Sequence, residues 1–229
     1  MSFSIVPGFA QRYPRYDEDP HWHDEWVIES CCTGIEEARA AQWHGADRIE
    51  LCTDLSVGGI TPSRELIQGV VEALTIPVNV LVRPAACLDF VYGEEEIRQM
   101  AADIDYCKSV GAAGVVAGAL TPEGGIDMNA MRRLVAAAKP LPVTFHRAFD
   151  VCTEDPFEAL EKIISLGCTR LLTSGMAENA WEGRDLIAQL VQRAGDRLII
   201  LAGRGVTPQN VKSLATVTGA REFHGTQLP

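Results

Sequence analysis

The sequence predicts an α/β fold, a TIM-type (β/α)8 barrel that lacks its eighth helix and follows an irregular N-terminal arm. From Val27 onward, short apolar or β-branched runs alternate with helical patterns, as expected of strands joined by helical crossovers. Three segments, starting at Gly45, Gly111 and Gly167, place a helix-ending glycine directly before such a run, which is typical of re-entry into a parallel sheet. The alternative is an open doubly wound sheet, but its G-x-G-x-x-G fingerprint is absent after the first strand.

The predicted elements alternate regularly along the chain. Strands are expected at 27–32, 47–52, 78–83, 114–118, 142–146, 169–173, 197–202 and 221–224. Helices are expected at 35–44, 63–74, 94–110, 127–138, 155–166, 182–194 and 208–217. A capping side chain stands beside an early proline at Thr61-Pro62-Ser63, Asp155-Pro156 and Thr207-Pro208, which indicates a helix start at each.

The chain divides into an N-terminal arm, residues 1–26, and a barrel domain, residues 27–229. His21 and His23 in the arm are a minor candidate for metal binding; an incidental surface pair is the favoured interpretation. No helical pattern follows the eighth strand, so one side of the barrel would be uncovered unless the N-terminal arm, a tail turn or a second subunit covers it. Exposed apolar surface of that extent predicts association, and we expect a homo-oligomer, most simply a dimer.

Composition excludes several classes of protein. The 229 residues are 47% hydrophobic with a formal net charge of −11, and no basic run is present, which argues against nucleic acid and anionic membranes as partners. No secretory signal and no membrane-spanning stretch is recognisable. Seven cysteines at irregular spacing predict a reduced, cytoplasmic protein. A small anionic ligand held by local donors remains compatible with this charge.

Polar residues gather where the predicted strands end, which is where barrels of this class place their active sites. Residues two apart share a face of a strand, so four pairs are expected to point the same way: Glu29 with Cys31, Glu50 with Cys52, Thr144 with His146, and Glu222 with His224. Buried carboxylates need partners, and Arg83 and Arg147 are the expected ones. The simpler alternative is that Glu29, Glu50 and His146 are hydrogen-bonded wall residues without chemistry.

Cys31 and Cys52 are the predicted metal ligands. Each lies two residues after a glutamate on neighbouring strands, and adjacent strands are about 4.8 Å apart, so the two thiols can approach one another. Soft thiolates favour Cu(I) and Zn. Two unconnected small core residues are the alternative.

The loops after strands 6, 7 and 8 predict a second site. Ser174-Gly175 and Gly203-Arg204-Gly205 offer backbone N–H groups near the start of the next helix, where barrels often hold a phosphate. Plain tight turns explain the same pattern.

The chain resembles the CutC family, the copper homeostasis protein family. The resemblance rests on Gly45 to Cys52, Gly58 to Ser63, Arg83-Pro84, Gly118 to Thr121, Pro142 to Asp150, Leu172 to Gly175 and Glu222 to His224. It implies a TIM barrel, a cytoplasmic location, dimerisation, and Cu(I) binding attributed to cysteines that fall on Cys31 and Cys52. The sequence departs from the family where Ala85 to Leu88 replace a basic, glycine-containing loop, which puts anion binding there in doubt. Arg204 could restore a positive charge nearby.

Three functions follow as expectations. The first is copper homeostasis with Cu(I) bound by Cys31 and Cys52. The second is an enzyme acting by acid/base chemistry on a small anionic or phosphorylated substrate, with Glu50 or His146 as acid or base and their pKa values set by Arg83 and Arg147. The ligand-binding candidates for this function are Glu29, Thr144, Ser174, Gly203, Gly205 and His224. The third is a non-catalytic interaction protein on a barrel scaffold.

Overall fold

A computed structural model describes residues 26–84, 86, 89–226 and 228. Apart from Trp26, the predicted arm with His21 and His23 lies outside the described residues, and so do Ala85, Cys87 and Leu88 of the loop after the third strand.

Strands and helices alternate through the described chain. The strands are β1 (Val27–Cys32), β2 (Arg48–Leu51), β3 (Val78–Leu81), β4 (Gly114–Ala117), β5 (Val143–Phe145), β6 (Arg170–Thr173), β7 (Ile199–Gly203) and β8 (Glu222–Gly225). The α-helices of the described residues are α1 (Ile35–Trp43), α2 (Arg64–Ala73), α3 (Glu94–Ser109), α4 (Met128–Ala138), α5 (Pro156–Leu166), α6 (Arg184–Ala194) and α7 (Val211–Thr218). Short 3-10 turns occupy Leu55–Val57, Arg147–Val151 and Gly195–Arg197.

The eight strands form a closed parallel barrel in the order of the chain. Closure is made by β8 and β1, where Val27 lies opposite Glu222 and Glu29 lies opposite His224. The predicted barrel is confirmed, and the open doubly wound sheet is wrong because an open sheet has no pairing between its first and last strands.

The helix-start signals are confirmed at two of the three positions. The Ser63 hydroxyl accepts a hydrogen bond from the Leu66 amide, and the Asp155 carboxylate caps α5. At Thr207-Pro208 the helix begins later than predicted, at Val211, because the Asn210 amide bonds to the Thr207 carbonyl and closes a turn first.

The side of the barrel beside β8 is partly covered by residues that flank the first and last strands. Ile28 on β1 and Phe223 on β8 point outward from the barrel, yet both are fully buried. The Trp26 ring packs edge-on against Phe223, with ring centroids 6.4 Å apart, and Leu228 is buried against the same region. No helix follows β8 within the described chain, and Trp26 of the predicted arm and Leu228 supply part of the cover that was expected in its place. The expected dimer stays a prediction.

The core has two parts. Apolar side chains between strands and helices form the larger one, with Phe145, Phe149 and Phe223 among its largest members. Inside the barrel, Cys31, Cys52, Leu81 and Val116 form a small apolar cluster among polar groups. None of the helices in the described part of the chain has the length and apolarity needed to cross a bilayer.

Candidate functional site

A fully buried carboxylate, Glu29, organises the lower interior of the barrel. It accepts hydrogen bonds from the Arg48 guanidinium, from Asn79 Nδ2 at 3.1 Å, and from His224 Nδ1 at 2.9 Å. Gly114 makes room for Asn79, because a Cβ at that position would lie 2.5 Å from the Asn79 amide oxygen. Burial opposes the charge of Glu29, but the His224 hydrogen bond and Arg48 outweigh it and lower the pKa of Glu29 to about 2.

Arg48 links Glu29 to a second buried carboxylate. Its Nη2 donates to Glu222 Oε2 at 2.7 Å, and Arg170 Nε donates to the same oxygen at 2.7 Å. Two arginines and two glutamates therefore form a charge-balanced quartet across β1, β2, β6 and β8. Arg48, Asn79 and Arg170 were not among the predicted site residues, although the alternation of Arg48, Glu50 and Cys52 places Arg48 on the inner face.

In the described contacts neither Arg83 nor Arg147 pairs with Glu29 or Glu50, so this expected pairing is wrong. Arg83 Nη1 donates to the carbonyl oxygens of Val57 at 2.8 Å and Gly59 at 2.6 Å, so this arginine fastens the β2–α2 loop over the end of β3. Arg147 Nε instead donates to Asp150 Oδ2 at 2.9 Å. The loop geometry that brings the Val57 and Gly59 carbonyls to Arg83 is not readable from local sequence.

Glu50 and His224 face each other above this quartet. Glu50 Oε2 lies 3.9 Å from His224 Nδ1 and has no hydrogen-bond partner among the described residues. Burial, and to a lesser degree the charge of Glu29, raise the pKa of Glu50 to about 7. Burial also disfavours a charged His224, but Glu50 and the hydrogen bond to Glu29 raise its pKa overall. The prediction that Arg83 and Arg147 set the pKa of Glu50 is therefore wrong.

The predicted metal ligands lie together. Cys31 Sγ and Cys52 Sγ are 3.5 Å apart, and Cys31 Sγ is 4.0 Å from Glu50 Oε1. One ligand atom each from Cys31, Glu50 and His224 lie within 4.8 Å of one another. The hydrogen bond with Cys52, burial, and the charge of Glu50 raise the pKa of the Cys31 thiol well above its usual value. Both sulfurs are thus held close enough to share one metal ion.

His146 is buried beside the cavity with a fixed tautomer. Its Nδ1 accepts a hydrogen bond from the Ala148 amide at 3.1 Å, so the neutral ring carries its hydrogen on Nε2. Burial, followed by the charges of Arg83 and Arg147, lowers the pKa of His146 to about 3. The two arginines contribute to this shift in pKa, but burial is its largest cause. Gly118 leaves space for the ring, because a Cβ there would lie 2.6 Å from Nδ1.

The loop after β6 is occupied by a carboxylate of the protein itself. Asp150 accepts hydrogen bonds from the Thr173 hydroxyl, the Ser174 amide and hydroxyl, and the Met176 amide. The donors that made Ser174 a candidate anion ligand are therefore already engaged. In the neighbouring loop, Gly203 lies against His224 and Leu172.

A cavity of about 520 Å³ opens at the carboxyl ends of the strands. The predicted site residues that line it are Cys31, Glu50, Cys52, Arg83, His146, Arg147, Gly205 and His224. Glu29 and Thr144 lie buried below it, and Ser174 and Gly203 lie outside its lining. Phe90, which the sequence analysis did not select, lies between the Arg83 guanidinium and the His146 ring, 5.0 Å from each.

Fold and site together define a (β/α)8-barrel protein with a polar, thiol-bearing cavity at the carboxyl ends of its strands. The chain belongs to the CutC family, whose model matches residues 26–228.

Named relatives agree with this membership. A family protein CutC of Parabacteroides distasonis is 49% identical over 200 residues, which are 86% of this chain and 81% of the relative. The human copper homeostasis protein cutC homolog is 46% identical over 199 residues, 87% of this chain and 72% of the relative.

Solved structures agree as well. The crystal structure of CutC from Streptococcus agalactiae superposes with a TM-score of 0.85 at 33% identity, covering 89% of this chain and all of that one (100%). A 2,3-dimethylmalate lyase, 15% identical, superposes with a TM-score of 0.64 over 97% of this chain and 82% of its own, which shows the shared barrel fold alone.

Proposed function

We propose that this protein acts in copper homeostasis by binding Cu(I) in the cytoplasm through the thiolates of Cys31 and Cys52. The observation that carries the proposal is the 3.5 Å separation of the two sulfurs at the floor of the cavity. Thiolates are the soft ligands that Cu(I) prefers, and the surrounding apolar wall, which includes Leu81 and Val116, limits access of water and oxidants.

The chemistry of the donor set fits this cargo. The raised pKa of Cys31 keeps its thiol protonated in the metal-free protein, so binding must displace a proton. Glu50 and His224 lie close enough to accept that proton or to serve as further ligands. All six cysteines that the structure describes are free thiols, which supports a reducing compartment such as the cytoplasm.

The test is an anaerobic Cu(I) titration of the reduced protein against a competing chelator, with the double variant Cys31→Ser/Cys52→Ser. We expect the variant to lose at least about 100-fold in affinity, since both soft ligands are removed. The matched control is Cys107→Ser/Cys168→Ser, which replaces two buried thiols outside the cavity lining. Equal affinity in the wild type and the Cys31/Cys52 variant would refute the proposal, provided that circular dichroism shows both to be folded.

A second candidate function is acid/base catalysis on a small substrate. It is favoured by the convergence of Glu50, His146 and His224 on one cavity, with Glu50 Oε2 left without a hydrogen-bond partner in the described chain. The predicted role of Glu50 as acid or base fits this placement better than a wall residue, which would be hydrogen-bonded on both oxygens.

Proton abstraction can be detected without knowing the product. Metal-free protein is incubated in D₂O with a panel of small carboxylates and phosphate esters, and deuterium incorporation is measured by mass spectrometry. We expect exchange into one class of compound and its loss in Glu50→Gln. No exchange in any compound, or exchange unchanged in the variant, counts against this function.

A further inference from the structure

We infer that the cavity is a binding site for a small organic oxyanion, formed by the buried wall residue His146 and by Arg147 and Arg204 at the mouth. The inference deepens the second candidate function by naming the ligand class. Binding itself requires neither copper nor turnover, so it is tested separately from both functions.

The first observation is an unused buried donor. His146 is 5% exposed, and the hydrogen bond from Ala148 to Nδ1 leaves the hydrogen on Nε2. Nε2 is buried and has no hydrogen-bond partner among the described residues, yet the ring lines the cavity. A buried N–H without an acceptor is energetically unfavourable, and an acceptor atom of a ligand in the cavity would remove that cost.

The second observation is Arg204 at the rim of the same cavity. Its backbone has a φ of +71°, a left-handed conformation that is unfavourable for a residue with a Cβ. The loop is held by the hydrogen bond from the Ala180 amide to the Arg204 carbonyl, while the guanidinium is exposed and forms no ion pair with any described residue. A strained backbone that presents a charged side chain to a cavity suggests a role for that charge.

The third observation is the partial use of Arg147. Asp150 engages its Nε, and the side chain is 35% exposed at the cavity wall. The described contacts leave both Nη groups of Arg147 available. Its guanidinium, held in place through Nε, can therefore donate two parallel hydrogen bonds to an oxyanion.

The rest of the cavity defines the ligand further. Glu50 is the acidic residue in its lining, and it lies deep, beside the cysteines. Much of the remaining lining is apolar, with Leu55, Leu172 and Val206 among its residues. A space of about 520 Å³ with cationic groups at the mouth and apolar walls suits a small molecule with an anionic head and an apolar body.

Other arginines show that this pattern is not a general property of the surface. Arg133 holds Glu94 with both Nη groups, and Arg197 holds Glu161 in the same way. Those guanidinium groups are neutralised by carboxylates of the chain. At the cavity mouth, the oxyanion of a ligand would neutralise Arg147 and Arg204 as Glu94 and Glu161 neutralise the other two arginines.

The test is isothermal titration calorimetry of reduced, copper-free protein at low ionic strength. The probes are phenyl phosphate, benzoate and the neutral benzyl alcohol. We expect phenyl phosphate or benzoate to bind and benzyl alcohol not to bind; the two anions distinguish a phosphate from a carboxylate head group. Arg204→Gly and Arg147→Gln should each weaken binding about tenfold, the usual value of one charge-assisted hydrogen bond.

Arg204→Gly also tests the site without endangering the fold, because glycine adopts a positive φ freely. The matched control is Arg98→Gln, which removes an exposed arginine of α3 that pairs with Glu95. Unchanged affinity in Arg204→Gly and Arg147→Gln, or no oxyanion bound by folded wild-type protein, would overturn the inference.

Discussion

Glu29 and Arg48 lie opposite each other in the register of β1 and β2, and their side chains form a salt bridge inside the barrel. Both side chains are almost fully buried, at 0% and 8% exposed. The pair places two opposite charges in the barrel interior, where a barrel of this size would otherwise pack branched apolar residues.

Arg48→Met should destabilise the protein strongly, because it leaves the Glu29 and Glu222 carboxylates without a shared counter-charge. We expect the free energy of unfolding to fall by about 3–5 kcal/mol, measured by urea denaturation at pH 7.5. Arg98→Met, in an exposed pair with Glu95, serves as the control and should change stability by less than about 1 kcal/mol. Equal effects of the two substitutions would show that the buried quartet adds nothing to stability.

Asp150→Ala should loosen the loop after β6. The change leaves the amides of Ser174 and Met176 without acceptors in a buried region, which costs about 2–4 kcal/mol by thermal or urea unfolding. Asp185→Ala removes a carboxylate that is 86% exposed and is expected to stay within about 0.5 kcal/mol of wild type. A similar small effect at Asp150 would contradict its structural role.

Gly118→Ala should displace the His146 ring, since the new Cβ would lie 2.6 Å from Nδ1. We expect a loss of about 1–3 kcal/mol in stability and a shifted His146 signal in the imidazole region of the NMR spectrum. Gly34→Ala is the matched control, because nothing lies within 4 Å of the added Cβ. An unshifted His146 signal in Gly118→Ala would disprove the close contact.

Glu50→Gln should change how stability depends on pH. The pKa of Glu50 rises from 4.5 to about 7 on folding, so the folded protein binds the proton more tightly than the unfolded chain. The resulting stabilisation is complete below pH 4.5 and is lost as the pH rises through about 7. Glutamine carries no such charge, so the variant should be more stable than wild type at pH 8 by up to roughly 3 kcal/mol.

The free energies of unfolding of wild type and Glu50→Gln should converge towards pH 4.5. Urea unfolding between about pH 4.5 and pH 8 measures this difference. Glu182→Gln, at an exposed position, should follow the wild-type curve throughout. A constant difference between Glu50→Gln and wild type at all pH values would argue against a titrating Glu50.

The strands and their inner faces were predictable, because alternation along β1 and β2 assigns Glu29, Cys31, Glu50 and Cys52 to one side without tertiary information. The approach of the two cysteines also followed from their equal offsets on adjacent strands. These features depend on local periodicity and on the order of strands, both of which the sequence carries.

The partners of the charged groups were not predictable in the same way. Arg48 and Arg170 lie at the start of their strands, whereas active sites of this fold form at the strand ends, where site residues were predicted. Arg83 was expected to meet a carboxylate, but the Leu55–Val57 turn folds back and offers it carbonyl oxygens instead. Such pairings depend on register and loop conformation, which tertiary packing determines.

The salt-bridged quartet fills the lower barrel, so the cavity has its floor at the cysteines and its exit at the opposite end. Whatever occupies that floor must therefore leave by the way it entered, past Arg147 and Arg204. An anion bound at the mouth would therefore slow the dissociation of a metal ion bound by the cysteines. The residence time of the metal ion would then depend on the concentration of the anion.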